Sequence, residues 1–205
     1  MSVLSRRLLL TAPILSALPI IARASADPAA LAPVQALIAG LLTIMKQGRV
    51  TPFALRVAAL APTIDRSFDL DAILRASVGS GFDAMKATEQ DSLHSAFHDY
   101  TIASYVNSFD SFSGQRFDVQ PDTRAIGNGD QIVQTRIVPT SGDPHALDYV
   151  MRAKGGAWRV VDVLAEGSVS RVAVQRSDFR RIISDGGATA LVASLRAKAA
   201  ELGGA

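Results

Sequence analysis

Residues 148–179 read DYVMRAKGGAWRVVDVLAEGSVSRVAVQRSDF, and their pattern decides the fold class. Leu147, Tyr149 and Met151 alternate with polar neighbours, which is the period of a half-buried strand. Gly155-Gly156 supplies a tight turn at little steric cost. Residues 158–164 form a second strand, an inner one, with Val160, Val161 and Val163 apolar on both faces. Glu166-Gly167 ends that strand, and Ser168 or Ser170 can cap the helix that follows. On this helix Val172, Phe179, Ile182 and Ile183 fall at i, i+7, i+10 and i+11, one stripe aimed at a core.

Upstream of the hairpin the chain is helical first and strand-rich later. Residues 28–47 repeat apolar side chains at helical spacing, and Gly48 stops them. Thr51-Pro52 opens a second helix, interrupted near Pro62, and residues 66–78 form a third with Asp69 in its first turn. A long helix spans about 88–110, with Thr88 and Asp91 placed as a capping box. Leu93, Ala96, Phe97, Tyr100 and Ser104 form one stripe on it, and Ile102, Tyr105, Val106 and Phe109 a second, roughly opposite. Such a helix must be covered on two sides, one by the sheet and the other by more helix or by an apolar ligand. Phe117 and Val119 mark a short strand, Pro121 and Gly127-Asn128-Gly129 mark turns, and residues 131–138 form another strand. After the helix at 170–184, Gly186-Gly187 breaks the chain before a last amphipathic helix. Helices, then strands, then helices predict an α+β fold, an antiparallel sheet covered by helices on one face.

The N-terminus stands apart. Residues 1–26 hold a basic start at Arg6-Arg7, an apolar run, and the small-x-small site Ala24-Ser25-Ala26. That is a cleavable signal peptide, which leaves residues 27–205 as one domain. Arg6-Arg7 fits a twin-arginine signal or an ordinary basic start. The full chain carries a net charge of +2 from 21 basic and 19 acidic residues. Residues 1–26 contain Arg6, Arg7 and Arg23 and no acid, so the remainder has 18 basic and 19 acidic residues, a net of −1. No positive field remains to draw a nucleic acid. Without cysteine there is neither a disulfide nor thiol chemistry.

The candidate reactive groups are few. His94 and His98 have the i, i+4 spacing of a zinc-binding helix, but Ser95 stands where that pattern needs glutamate, so no metal is expected. Asp148 and Asp162 lie on the two strands of the hairpin, where close carboxylates can split their pKa values. No Gly-x-Ser-x-Gly occurs, and Gly79-Ser80-Gly81 lacks the strand–helix setting of a phosphate loop. Tyr100, Tyr105, Phe109 and Phe112 either line a pocket or fill a core.

Three segments carry a resemblance. Residues 158–163 (WRVVDV), 166–170 (EGSVS) and 175–179 (QRSDF) resemble the C-terminal signature of the MlaC or toluene-tolerance auxiliary family, closest to its hopanoid-associated HpnM branch. Phe68-Asp69-Leu70 with Val78-Gly79, Ala96-Phe97 with Tyr100 and Tyr105-Val106, and residues 109–117 (FDSFSGQRF) extend the match over nearly all of residues 27–205. One departure is Phe82, where the family often has tryptophan. The resemblance implies a curved antiparallel sheet covered by helices and enclosing an apolar cavity. It implies a periplasmic, non-enzymatic carrier of hopanoid or phospholipid between the inner and outer membranes, with no cofactor. Its partners would be an inner-membrane lipid transporter complex and, transiently, the membrane or an outer-membrane complex. The residues expected to bind lipid are Phe68, Leu70, Ile73, Leu74, Phe97, Tyr100, Tyr105, Phe109, Tyr149, Met151, Val161 and Val163. The competing reading is a curved-sheet isomerase or dehydratase acting on a small apolar substrate, with Asp148, Asp162 and Tyr149 as acid–base groups.

Overall fold

The hairpin forms as its sequence requires. In the computed structural model, which describes residues 27–204, β3 (His145–Lys154) and β4 (Ala157–Ala165) pair antiparallel up to Lys154 and Ala157. Gly155 (φ 59°) and Gly156 (φ 80°) take the two left-handed positions of the turn, which a side chain would resist. β2 (Gln131–Val138) and β1 (Arg116–Ala125) extend the sheet on one side, and the two-residue β5 (Val169–Ser170) closes the other, in the order β1-β2-β3-β4-β5. The proposed signal peptide, residues 1–26, lies outside the described residues.

The helices are α1 (Leu31–Gln47), α2 (Phe53–Ser67), α3 (Leu70–Val78), α4 (Ala87–Ser108) and α5 (Arg171–Gly203). With the short turn before it, α1 is long and apolar enough to cross a membrane, yet Val34, Leu37 and Leu41 are fully buried in the core. Gly187 (φ 69°) divides α5 into two helical segments, as the glycine pair predicts. α4 is flanked by α5 and by α2, so helices rather than the sheet cover most of its two apolar stripes. Arg56, itself buried, ties α2 to the end of α4 by donating to the carbonyl oxygen of Val106. Phe82 is buried too, with the Arg75 guanidinium 4.6 Å from its ring centroid.

Several expected boundaries shift. α2 runs through Pro62 to Ser67, because the surrounding packing offsets the one backbone hydrogen bond a proline removes. α3 starts at Leu70, and Asp69 is its cap, accepting from Ala72 N–H at 3.1 Å. Asp69 also receives Lys154 Nζ at 2.8 Å. Burial opposes its charge, but these donors outweigh burial and hold its carboxyl below the ordinary value. The box that starts α4 uses Glu89, which accepts from Lys86 N–H at 2.9 Å, not Thr88 and Asp91. Pro121 is no turn. It lies inside β1 where the register to β2 shifts between Val119 and Thr123, and a bulge in an edge strand tolerates the missing donor.

A second bulge matters more. The β3–β4 register slips between Val150 and Met151, which pair with Asp162 and Val160 and leave Val161 unpaired. Val160 and Val163 therefore both join the main core, while Val161 packs with Ile132 and Val150 in a separate cluster. Strict alternation would put Val161 and Val163 on one face; the bulge separates them, so Val161 does not join Val163 as the lipid-binding expectation had it.

Candidate functional site

A cavity of about 230 Å³ lies between α4 and the sheet. α4 contributes Phe97, Tyr100, Thr101, Ser104, Tyr105 and Ser108, followed by Phe109. The sheet contributes Ile137, Leu147, Asp162 and Val163. Phe68, Leu70 and Ile73 come from the start of α3 and the residues before it, and Arg171, Val172 and Gln175 from the first turns of α5. These walls meet because Phe68 bridges to Val160 and Asp69 N–H donates to the Val160 carbonyl oxygen at 2.9 Å, which draws α3 onto β4.

One side of the site is a run of aromatic rings. Phe68 meets Tyr105 edge-on at 5.5 Å, Tyr105 stacks on Phe109 at 6.0 Å, and Phe109 approaches Phe117 at 6.0 Å. Such contacts stiffen the wall beyond what burial alone gives. The polar groups are mostly engaged with the protein. Thr101 Oγ1 donates to the Phe97 carbonyl oxygen and Ser104 Oγ to that of Tyr100. Asp162 accepts from Val163 N–H, Val172 N–H and the Ser170 hydroxyl, pinning the start of α5 to β4. Burial pushes the Tyr105 hydroxyl above its ordinary pKa, against the pull of the Arg171 charge.

Of the twelve residues expected to bind lipid, eight stand on this cavity: Phe68, Leu70, Ile73, Phe97, Tyr100, Tyr105, Phe109 and Val163. Leu74, Tyr149 and Met151 are fully buried in the main core instead, and Val161 is turned into the second cluster by the bulge. Sequence reasoning did not assign Thr101, Ser104, Ser108, Ile137, Leu147, Arg171, Val172 or Gln175 to the site. The small polar residues 101, 104 and 108 recur at helical spacing, a signal that one strip of α4 is not packed core.

The acid–base groups of the competing reading do not converge. Asp162 is on the cavity wall, but Asp148 accepts from Thr135 N–H at 3.1 Å and lines a different, polar depression with Arg124 and Arg136. Tyr149 is fully buried and is not on the wall. The two histidines one turn apart reach different carboxylates: His94 faces Asp71 at 3.2 Å and His98 faces Asp65 at 2.9 Å.

The Tyr149 hydroxyl has no hydrogen-bond partner among the described residues, and burial raises its pKa well above the ordinary value. An unpaired buried hydroxyl costs about 1–3 kcal/mol. Tyr149→Phe is therefore expected to stabilise the protein by about 1 kcal/mol and raise Tm by roughly 2–4 °C. A thermal melt checks this, and a lowered Tm would assign the hydroxyl a structural partner.

An aromatic-walled cavity between one antiparallel sheet and its covering helices has the shape and lining that suit an apolar molecule. The family profile described as MlaC protein matches residues 35–197, and the chain belongs to the MlaC family. Its structure is similar to that of a phospholipid-binding protein from Ralstonia solanacearum solved in complex with a phospholipid. The TM-score is 0.73 at 22% identity, covering 84% of this chain and 98% of that one. No curated protein sequence matches this chain.

Proposed function

We propose that this protein is a periplasmic lipid carrier that takes a lipid from one membrane, shields its apolar part, and releases it at the other, without catalysis. The observation that carries the reading is the apolar cavity between α4 and the sheet. Family membership and the phospholipid held by the similar Ralstonia protein support it. An inner-membrane transporter complex and an outer-membrane acceptor are the partners such a shuttle needs. The cavity is smaller than the roughly 300–1,000 Å³ of pockets for drug-sized ligands. Lipid entry on this reading parts α4 and α5 from the sheet.

Phospholipid is the preferred cargo. A hopanoid, suggested by the likeness to the HpnM branch, is the second reading, and the flat Tyr105–Phe109 stack (interplanar angle 12°) favours it, because rigid rings lose little freedom on binding. Native mass spectrometry of protein purified from a hopanoid-producing host, followed by lipid extraction, separates the two. Phospholipid in the extract supports the first reading and hopanoid alone the second. Consistently lipid-free protein would sink the carrier reading.

A further inference from the structure

We propose that Arg171 and Gln175 form a clamp for the phosphate of a lipid headgroup at the mouth of the cavity. The inference rests on the carrier reading and adds the chemistry of the ligand's polar end. Both residues line the cavity, and they lie four apart on α5, so their side chains are neighbours on one helix face. Both have free donors. Arg171 is exposed and makes no ion pair among the described residues. Gln175 uses its oxygen, which accepts from Ser77 Oγ at 3.1 Å, so its amide N–H groups are not spent on that bond.

Arg171 is the cationic residue of the wall, and several of the other polar groups there are already spent. The hydroxyls of Thr101 and Ser104 are committed to carbonyl oxygens of their own helix. Asp162 is the acid on the wall, and its oxygens already hold Val163 N–H, Val172 N–H and the Ser170 hydroxyl, so it does not take up the guanidinium. The guanidinium nevertheless acts across the cavity, since its charge is felt at the buried Tyr105 hydroxyl. A planar guanidinium matches two phosphate oxygens at once, and the amide adds a third donor. Beside them Leu70, Val172 and Phe109 are apolar. An amphiphile with a phosphate at one end and hydrocarbon at the other satisfies both parts, whereas an uncharged polycyclic lipid leaves the donors unused.

The test compares three probes on the full chain by native mass spectrometry titration: a diacyl phosphatidylglycerol, the diacylglycerol with the same chains, and inorganic phosphate. The wild type is expected to prefer the phospholipid to the diacylglycerol by at least about tenfold, the size of a charge-assisted contact. Arg171→Gln should lower that ratio about tenfold, and Arg171→Lys, which keeps the charge without the fork, should recover part of it. A wild type with equal affinity for the two lipids, or a ratio unmoved by Arg171→Gln, overturns the clamp and leaves the carrier reading intact. Binding of neither lipid overturns the carrier reading itself. Inorganic phosphate bound as tightly as the phospholipid overturns the headgroup assignment.

Discussion

Ser104→Trp is expected to strip the protein of bound lipid while leaving it folded. Ser104 lies on the α4 wall of the cavity, beside Tyr100 and Tyr105 and across from the sheet residues Ile137 and Leu147. An indole placed there enters the cavity of about 230 Å³ instead of displacing packed core. The helix loses little, because the Ser104 hydroxyl is spent on the Tyr100 carbonyl oxygen, a back-bond that slightly weakens a helix. The lipid loses its slot. A chain of about sixteen methylenes in water costs on the order of 13 kcal/mol, so even partial occlusion should cut retained lipid by far more than tenfold. The measurements are lipid content by mass spectrometry and Tm by calorimetry. Val50→Trp at an exposed position is the control, expected to retain lipid. A well-folded Ser104→Trp protein with wild-type lipid content would show that the lipid sits elsewhere.

How far this site could be read from sequence depended on the range of the interactions that build it. The β3–β4 turn and the break in α5 are set by neighbouring glycines, so local chemistry sufficed at Gly155-Gly156 and Gly187. The two stripes of α4 were legible because helical period survives whatever covers them. Pro62 and Pro121 misled for one reason: a proline's effect depends on whether the hydrogen bond it removes is needed, and only tertiary context decides that. Val161 misled differently. A bulge inserts one residue into an alternating pattern and inverts every face beyond it, and in the run VVDV nothing marks where this happens. Tyr149 and Met151 are as apolar as the wall residues and share a strand with Leu147. Which of them meets the cavity and which the core is fixed by how the sheet lies under α4, not by composition.

Asp162→Ala is expected to cost about 2–4 kcal/mol and to loosen the wall that α5 provides. One carboxylate organises the junction of β4, β5 and α5. Oδ1 accepts from Val163 N–H at 2.8 Å and from Val172 N–H at 3.1 Å, and Oδ2 accepts from the Ser170 hydroxyl. Ser170 in turn caps α5 by accepting from Ala173 N–H at 3.0 Å. Alanine removes a charge favoured by the helix N-terminus and leaves the Val172 donor unpaired. Because Arg171, Val172 and Gln175 in the first turns of α5 are cavity wall, lipid retention should fall together with stability. Asp162→Asn separates support from chemistry. Its amide oxygen can still accept from Val172 N–H, so roughly half the lost stability and most of the lipid should return. An acid–base role predicts the reverse, a stable Asn variant as inactive as the alanine one towards any substrate the wild type turns over. Urea unfolding of the three proteins, run beside lipid content by mass spectrometry, decides between them. Lipid retained in full by a destabilised Asp162→Ala protein would mean that α5 is not part of the binding wall.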